Sequence, residues 1–244
     1  MAGFFTAAIY QPIYNALALL IGLVPGGDVG IAIVLITLLV RFVLFPLSLS
    51  AIKTQIAMRR IDPELKALRE EHKNDKEALG RKTMELFRKN KINPLAGFFL
   101  ILIQLPIIIG LYAVLRTEAH QLSFDPTMLY SFVHAPAHAS LLFLGSVDLT
   151  GKSIILAILA GIFQYMYAKL LAPSTPPPAP AAGEKGSLQQ DFSRTMQLQM
   201  QYVFPVVLGA IAYFASAAIA LYFVTSNAFS VLQELVVQRI HGKR

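Results

Sequence analysis

The stretch LITLLVRFVLFPLS (Leu35–Ser48) sets a single arginine in the middle of an otherwise apolar run. Its apolar context extends from about Val29 to Leu49, which at about 1.5 Å per residue suffices to cross the ~30 Å hydrocarbon core of a bilayer. An arginine at the centre of such a helix costs on the order of 2.5–3.5 kcal/mol to insert. Arg41 therefore has two ways to exist. Its long side chain climbs to the headgroups near Leu49, about 12 Å along the helix. Otherwise it faces a wet interior and needs something there to face.

The composition supports a membrane setting. Of 244 residues, 55% are hydrophobic and 14% charged, and the mean hydropathy is +0.58. Soluble domains carry about 25% charged residues. With several apolar runs of about twenty residues, the chain reads as an all-α, multi-span membrane protein. It has no cysteine, which excludes disulfides, thiolate metal sites and cysteine nucleophiles. The net charge of +7 would suit nucleic acid in a soluble protein. In a membrane protein a basic excess more often sets topology.

Five crossings are expected, at residues 28–51, 94–115, 151–171, 197–216 and 217–238. The last two come from one 41-residue apolar stretch, Gln197–Val237, too long for a single span and divided most economically near Ser216. Residues 1–27 contain no charged side chain and lack the basic start of a signal peptide. Their polar and small residues, Thr6, Tyr10, Gln11, Tyr14, Asn15, Ala18 and Gly22, recur with helical spacing opposite Phe5, Ile9, Ile13, Leu17 and Leu20. That pattern predicts an amphipathic interfacial helix, with a first crossing as the alternative. Twelve of the 21 Lys and Arg fall between Lys53 and Lys91, and three more at Arg239, Lys243 and Arg244. The positive-inside rule puts both regions in the cytoplasm, and four crossings between them satisfy parity. The N-terminus is then extracytoplasmic.

Residues 52–93 read as a cytoplasmic helical hairpin, with Asp62 capping one helix and Asn74 the next. Leu65, Leu68 and His72 would face Leu79, Leu86 and Phe87, and the many exposed charges suit a solvated tether or lipid headgroups. Residues 116–150 form the extracytoplasmic loop. Residues 172–196 form a proline-rich inner loop, extended or disordered, and residues 239–244 a basic tail.

Catalytic patterns are lacking. None of the five histidines falls inside an expected span. His134 and His138 have a metal-compatible spacing, but Pro136 interrupts the helix it would require. No HExxH, GxSxG or glycine-rich nucleotide loop occurs, so no enzyme activity, cofactor or metal is expected. Inside the spans Arg41 has no acidic neighbour in prospect except Glu234, near the cytoplasmic end. Gln104, Gln164, Thr225, Ser226 and Asn227 are neutral candidates that can hydrogen-bond a guanidinium without cancelling its charge. A cation so placed calls for water and attracts a visiting negative group.

These residues lead to a resemblance. NPLAGFFLILIQLPIIIGLY (Asn93–Tyr112), GIAIVLITLLVRFVLFPLS (Gly30–Ser48), the segment KNDKEALG and ALYFVTSNAFSVLQ (Ala220–Gln233) resemble, in order and spacing, the YidC family of membrane protein insertases. Mitochondrial oxidase-assembly and chloroplast Albino-type insertases belong to the same family. The likeness covers about Gly22 to Ile240 and matches the short form, without the large extracytoplasmic domain. It implies a five-helix core around a hydrophilic groove open to cytoplasm and lipid, with Arg41 and Gln104 in it and Gln164 aligned more loosely. Phe223 stands where the family usually has tryptophan, and Ser216-Ala217-Ala218 replaces a Pro-Ala-Gly turn. Phe223, Thr225 and Asn227 complete the expected substrate groove. The implied partners are nascent membrane polypeptides and membrane lipid, with the ribosome and the Sec translocon as further ones, for a protein active as a monomer in the bacterial inner membrane. A small anion transporter or channel, using Arg41 as its anion site, is the alternative. A structural subunit whose partner supplies an acid to Arg41 is a third reading.

Overall fold

The computed structural model describes residues 2–72, 75–93, 96–117, 124–171 and 198–241. The N-terminal segment is one apolar rod: α1 (Ala2–Phe5), a π-helical turn over Thr6–Tyr10, and α2 (Gln11–Leu23). The wide turn has a local cause. Pro12 cannot donate to the preceding turn, and the Gln11 N–H reaches back five residues to the Thr6 carbonyl instead. The same device recurs before Pro205, where Gln199–Val203 is π-helical and the Phe204 N–H bonds Gln199.

A Pro25–Gly27 turn ends α2 and leads into α3 (Val29–Val43). Gly27 has φ +64°, and a Cβ there would stand 2.2 Å from the His138 carbonyl oxygen, so both backbone conformation and space require glycine. Asp28 caps α3, accepting from the Ile31 N–H at 3.0 Å.

The apolar run around Arg41 is not straight. Helix α3 stops at Val43, and α4 (Phe45–Arg60) leaves at 61° to it. Pro46, in the first turn of α4, has no N–H to continue the ladder. The expected 28–51 crossing is thus a bent pair whose second half runs on to Arg60.

Helices α5 (Asp62–Glu71) and α6 (Lys76–Lys89) form a hairpin with its own small core of Ile61, Leu65, Leu86 and Ile92. Leu68 and Phe87 pack against it; His72 and Leu79 do not belong to it. Asp62 is not the cap of α5 but lies within its first turn, paired with Lys66 at 2.9 Å. The cap of α6 is Asp75, which accepts from the Ala78 N–H; Asn74 lies outside the described residues.

Helix α7 (Ala96–Thr117) follows, then a short antiparallel hairpin of β1 (Leu142–Phe143) and β2 (Val147–Asp148), and α8 (Ile154–Leu171). Residues 172–196, read as a proline-rich loop, lie outside the described residues. Helices α9 (Phe204–Ala215) and α10 (Ala217–His241) are separated by a single extended residue, Ser216. The Ala217 and Ala218 N–H groups bond the carbonyls of Gly151 and Leu149. The orphan donors at the start of α10 are thereby satisfied by the segment that precedes α8.

The protein is an all-α membrane protein. Thr6–Leu23, Ile154–Leu171 and Ala217–Ile240 are long and apolar enough to cross a bilayer, and the bent α3–α4 pair makes a fourth candidate. Leu102–Leu115 and Gln201–Ala215 are shorter apolar helices. Helix α10 is central, packing along α8 and α3, while α9 leans on α8 and α2 on α3. Large apolar side chains such as Leu39, Phe42, Ile155, Val206 and Phe214 point outward, as a lipid solvent allows.

The polar face of the N-terminal helix turns inward. Tyr14 and Asn15 are buried. The Asn15 amide donates to the Met128 carbonyl at 3.0 Å and its oxygen accepts from the Tyr130 N–H at 2.6 Å; Gln11 also donates to Met128 at 3.2 Å. Tyr14 Oη accepts from the Asp125 N–H. These side chains serve loop backbone that would otherwise be stranded, which is why a polar stripe faces protein here.

Candidate functional site

Arg41 occupies the last turn of α3, immediately before the break. Its Nε–H donates to Ser226 Oγ of α10 at 3.1 Å, and a terminal guanidinium N–H donates to the same hydroxyl. Ser226 itself is buried. Among the described residues no carboxylate forms an ion pair with Arg41, whereas Lys66–Asp62, Arg81–Glu77 and Lys82–Glu85 pair within the α5–α6 hairpin. The charge is held by a neutral oxygen.

Four helices meet around it. One turn before Ser226, Tyr222 receives a hydrogen bond from the Gln104 amide of α7. The hydroxyls of Tyr222 and of Tyr167, on α8, are the electrostatic neighbours of the guanidinium. Gln164 is buried one turn earlier on α8. Arg41 and Gln104 are therefore linked through Tyr222 and Ser226.

The other expected groove residues are engaged differently. Thr225 Oγ1 bonds the Leu221 carbonyl within its own helix at 2.9 Å. Asn227 donates to the Ala160 carbonyl at 3.4 Å and ties α10 to α8. Phe223 packs its ring on Tyr222, with centroids 5.5 Å apart, at the edge of the core. Residues 225, 226 and 227 point about 100° apart around a helix, so only one of the three can face α3. The structure selects Ser226.

Two features went unread in the sequence. Tyr167 and Tyr222 carry hydroxyls into the site, but an aromatic residue in a span reads first as packing. The second is a polar seam. Tyr222, Ser226, Ser230 and Gln233 recur every three or four residues along α10, one face of the helix. Ser230 Oγ bonds the Ser226 carbonyl at 3.0 Å, and Gln233 donates to Ser48 Oγ of α4 at 2.6 Å. The seam ends at a cluster around Glu234, which is fully buried and accepts from Gln238 at 2.7 Å with Arg59 as its charged neighbour. Arg59 and Gln238 donate to the Leu170 carbonyl and Gln55 to that of Leu171. Side chains of α4 and α10 thus satisfy the last carbonyls of α8.

In the other direction from Arg41 the elements are tied together through their backbones. Leu149 and Gly151 carry the start of α10, Asp28 Oδ2 accepts from the Leu144 N–H at 2.8 Å, and the 124–133 segment is held by α2. Polar side chains therefore run from Arg41 toward the α5–α6 hairpin, while on the β1–β2 side backbone and mostly apolar side chains, among them Val29, Leu115, Leu149 and Ile219, surround a cavity of about 280 Å³. Such an arrangement can attract and solvate a negative group entering from the hairpin side.

Residues 21–244 match the model of a family described as the 60Kd inner membrane protein family. The chain is 36% identical over 219 residues to a protein of Oceanobacillus iheyensis named membrane protein insertase YidC, covering 86% of this chain and 74% of the relative. A protein of the same name from Fusobacterium nucleatum is 30% identical over 213 residues, 87% of each chain. A third, from Francisella philomiragia, is 32% identical over 215 residues, covering 87% of this chain but 33% of the longer relative. With a match spanning nearly its whole length, the chain belongs to the 60Kd inner membrane protein family, whose relatives include the YidC insertases.

Proposed function

We propose that the protein is a membrane protein insertase that accepts newly made hydrophobic segments and passes them into the bilayer of the bacterial inner membrane. The observation that carries the reading is Arg41, a cation held by one serine hydroxyl at the head of a polar seam, with no fixed counter-ion among the described residues. The substrate is a nascent polypeptide with an apolar segment behind a short, often acidic, tail. Arg41 draws that tail into a hydrated space between α3, α8 and α10, which shortens the apolar barrier the tail must cross. Gln104, Tyr222, Tyr167 and Gln164 supply neutral hydrogen-bonding groups beside it. The apolar segment then leaves sideways into lipid, driven by hydrophobic transfer at about 25 cal/mol per Å² buried.

In this reading the chain crosses the membrane five times, with α3–α4 counted once and the N-terminal rod lying at the outer interface. The α5–α6 hairpin and the basic C-terminus are cytoplasmic. The hairpin receives clients, and the basic tail meets ribosomal RNA electrostatically. The protein works as a monomer, alone or beside the Sec translocon, and without a cofactor. An anion channel would need polar side chains through the full thickness of the membrane, and the described side chains around the cavity on the β1–β2 side are mostly apolar.

Reconstitution tests this directly. In liposomes containing the purified protein, Arg41→Ala should impair insertion of an acidic-tailed client, and Arg41→Lys should largely retain it. Equal insertion by Arg41→Ala would overturn the charge-attraction mechanism.

A further inference from the structure

We propose that the outward-facing groove between α8 and α9 binds one anionic phospholipid, with the phosphate at Lys152 and one acyl chain laid between the helices. The groove has a volume of about 630 Å³. Ile158 and Ile162 form one wall, and Val206 and Ala210 the other. At its floor the backbones touch: a Cβ on Gly161 would meet the Pro205 carbonyl at 3.3 Å, and one on Gly209 the Ala157 carbonyl at 3.3 Å. The two helices are therefore packed as closely as their backbones permit, leaving the outer sides of the crossing as an open apolar channel.

An apolar wall alone would be coated by any lipid. Two observations make this one selective. The first is the cation at its mouth. Lys152 lies two residues before α8 and is exposed, with its Nζ 5.3 Å from the centroid of Phe214 and 5.5 Å from that of Tyr213. Both rings line the groove, so cation–π attraction holds the ammonium over its entrance. The acid nearest in sequence, Asp148, accepts two hydrogen bonds from Thr150, at 2.9 and 2.7 Å. The second observation is length. From Ile154 to Tyr165 the groove follows α8 for about 16 Å, or roughly half of a ~30 Å hydrocarbon core. At that depth Tyr165 and Tyr202 face each other with ring centroids 6.0 Å apart and close the end. The site is one leaflet deep, cationic at the headgroup level and apolar below.

The bound lipid belongs to the leaflet on the β1–β2 side, and it would fasten α9 to α8 on the face away from Arg41. This role is separate from insertion and can be measured on the purified full-length chain without any client. The experiment is native mass spectrometry from detergent with equal amounts of dioleoyl phosphatidylglycerol and dioleoyl phosphatidylcholine. The wild-type protein should retain one phosphatidylglycerol in preference. Lys152→Gln should lower that preference about fivefold, as expected for loss of one lysine at a membrane surface, and Lys152→Arg should keep it. Ala210→Trp, which fills the groove from an exposed position, should abolish retention of the lipid with helical content unchanged. Equal retention of the two lipids by the wild type, or an undiminished preference in Lys152→Gln, would overturn the proposal. So would a second copy of the chain recovered in place of lipid.

Discussion

Placing a carboxylate where Ser226 stands would give Arg41 the fixed counter-ion it lacks among the described residues. Ser226 Oγ already lies 3.1 Å from the guanidinium Nε, so Ser226→Asp puts an anion within ion-pair distance without new backbone geometry. At 4 Å such a pair is worth about 4 kcal/mol at an effective dielectric of 20 and about 1 kcal/mol in bulk water. A visiting acidic tail would have to displace the resident aspartate, so its occupancy should fall by between about fivefold and about a thousandfold. The wetter the pocket, the nearer the lower figure. The assay uses proteoliposomes and two clients with the same apolar segment, one with an acidic tail and one with a neutral tail, scored by protection of the tail from protease. Loss should be confined to the acidic client. Ser226→Ala should instead insert that client at least as well as the wild type, because the hydroxyl competes with the tail for the same donors. Wild-type insertion of the acidic client by correctly folded Ser226→Asp would refute the reasoning.

Other expectations concern the β1–β2 side. Asn15→Leu strands the Tyr130 N–H and removes one of two donors to Met128, and should cost about 1–3 kcal/mol, read as a fall of about 2–12 °C in Tm in detergent. Gly27→Ala combines a left-handed residue with a Cβ against the His138 carbonyl, and should cost more than about 1 kcal/mol and open residues 124–152 to limited proteolysis. Asp28→Ala removes the acceptor shared by the Ile31 and Leu144 N–H groups and should cost about 1–2 kcal/mol by thermal unfolding, whereas Asp28→Asn should lose less.

The sequence carried the bilayer setting because hydropathy over twenty residues is a large, additive signal. It carried Arg41 as a problem because a charge in an apolar run has few solutions. The choice among Thr225, Ser226 and Asn227 was not legible, since three adjacent polar residues differ only in helical phase, and phase depends on how α10 packs against α3 and α8. The inward turn of Tyr14 and Asn15 was hidden for a similar reason. Amphipathic periodicity identifies a polar face but not whether water or unpaired backbone will meet it. The hairpin core was partly readable from Leu65 and Leu86. Ile61 and Ile92, at its ends, belong to it through the way the chain enters and leaves. The bend at Leu44 had a visible cause in Pro46, but a proline in the first turn of a new helix and a proline kinking an old one look alike in sequence.

That bend has an electrostatic consequence. A helix ends with its last carbonyls unpaired, and the aligned peptide dipoles leave roughly half a negative charge there, felt within the final turn. By stopping α3 at Val43, two residues after Arg41, the break sets this partial charge in the arginine's own turn, offset in part by the opposite charge where α4 starts at Phe45. A straight helix continuing to Arg60 would have carried it seventeen residues further on. The backbone itself then acts as a fractional counter-ion: enough to lower the cost of keeping a cation in the membrane, and too little to neutralise it. Such compensation leaves a net positive field for an incoming anion, whereas a full carboxylate would have consumed it.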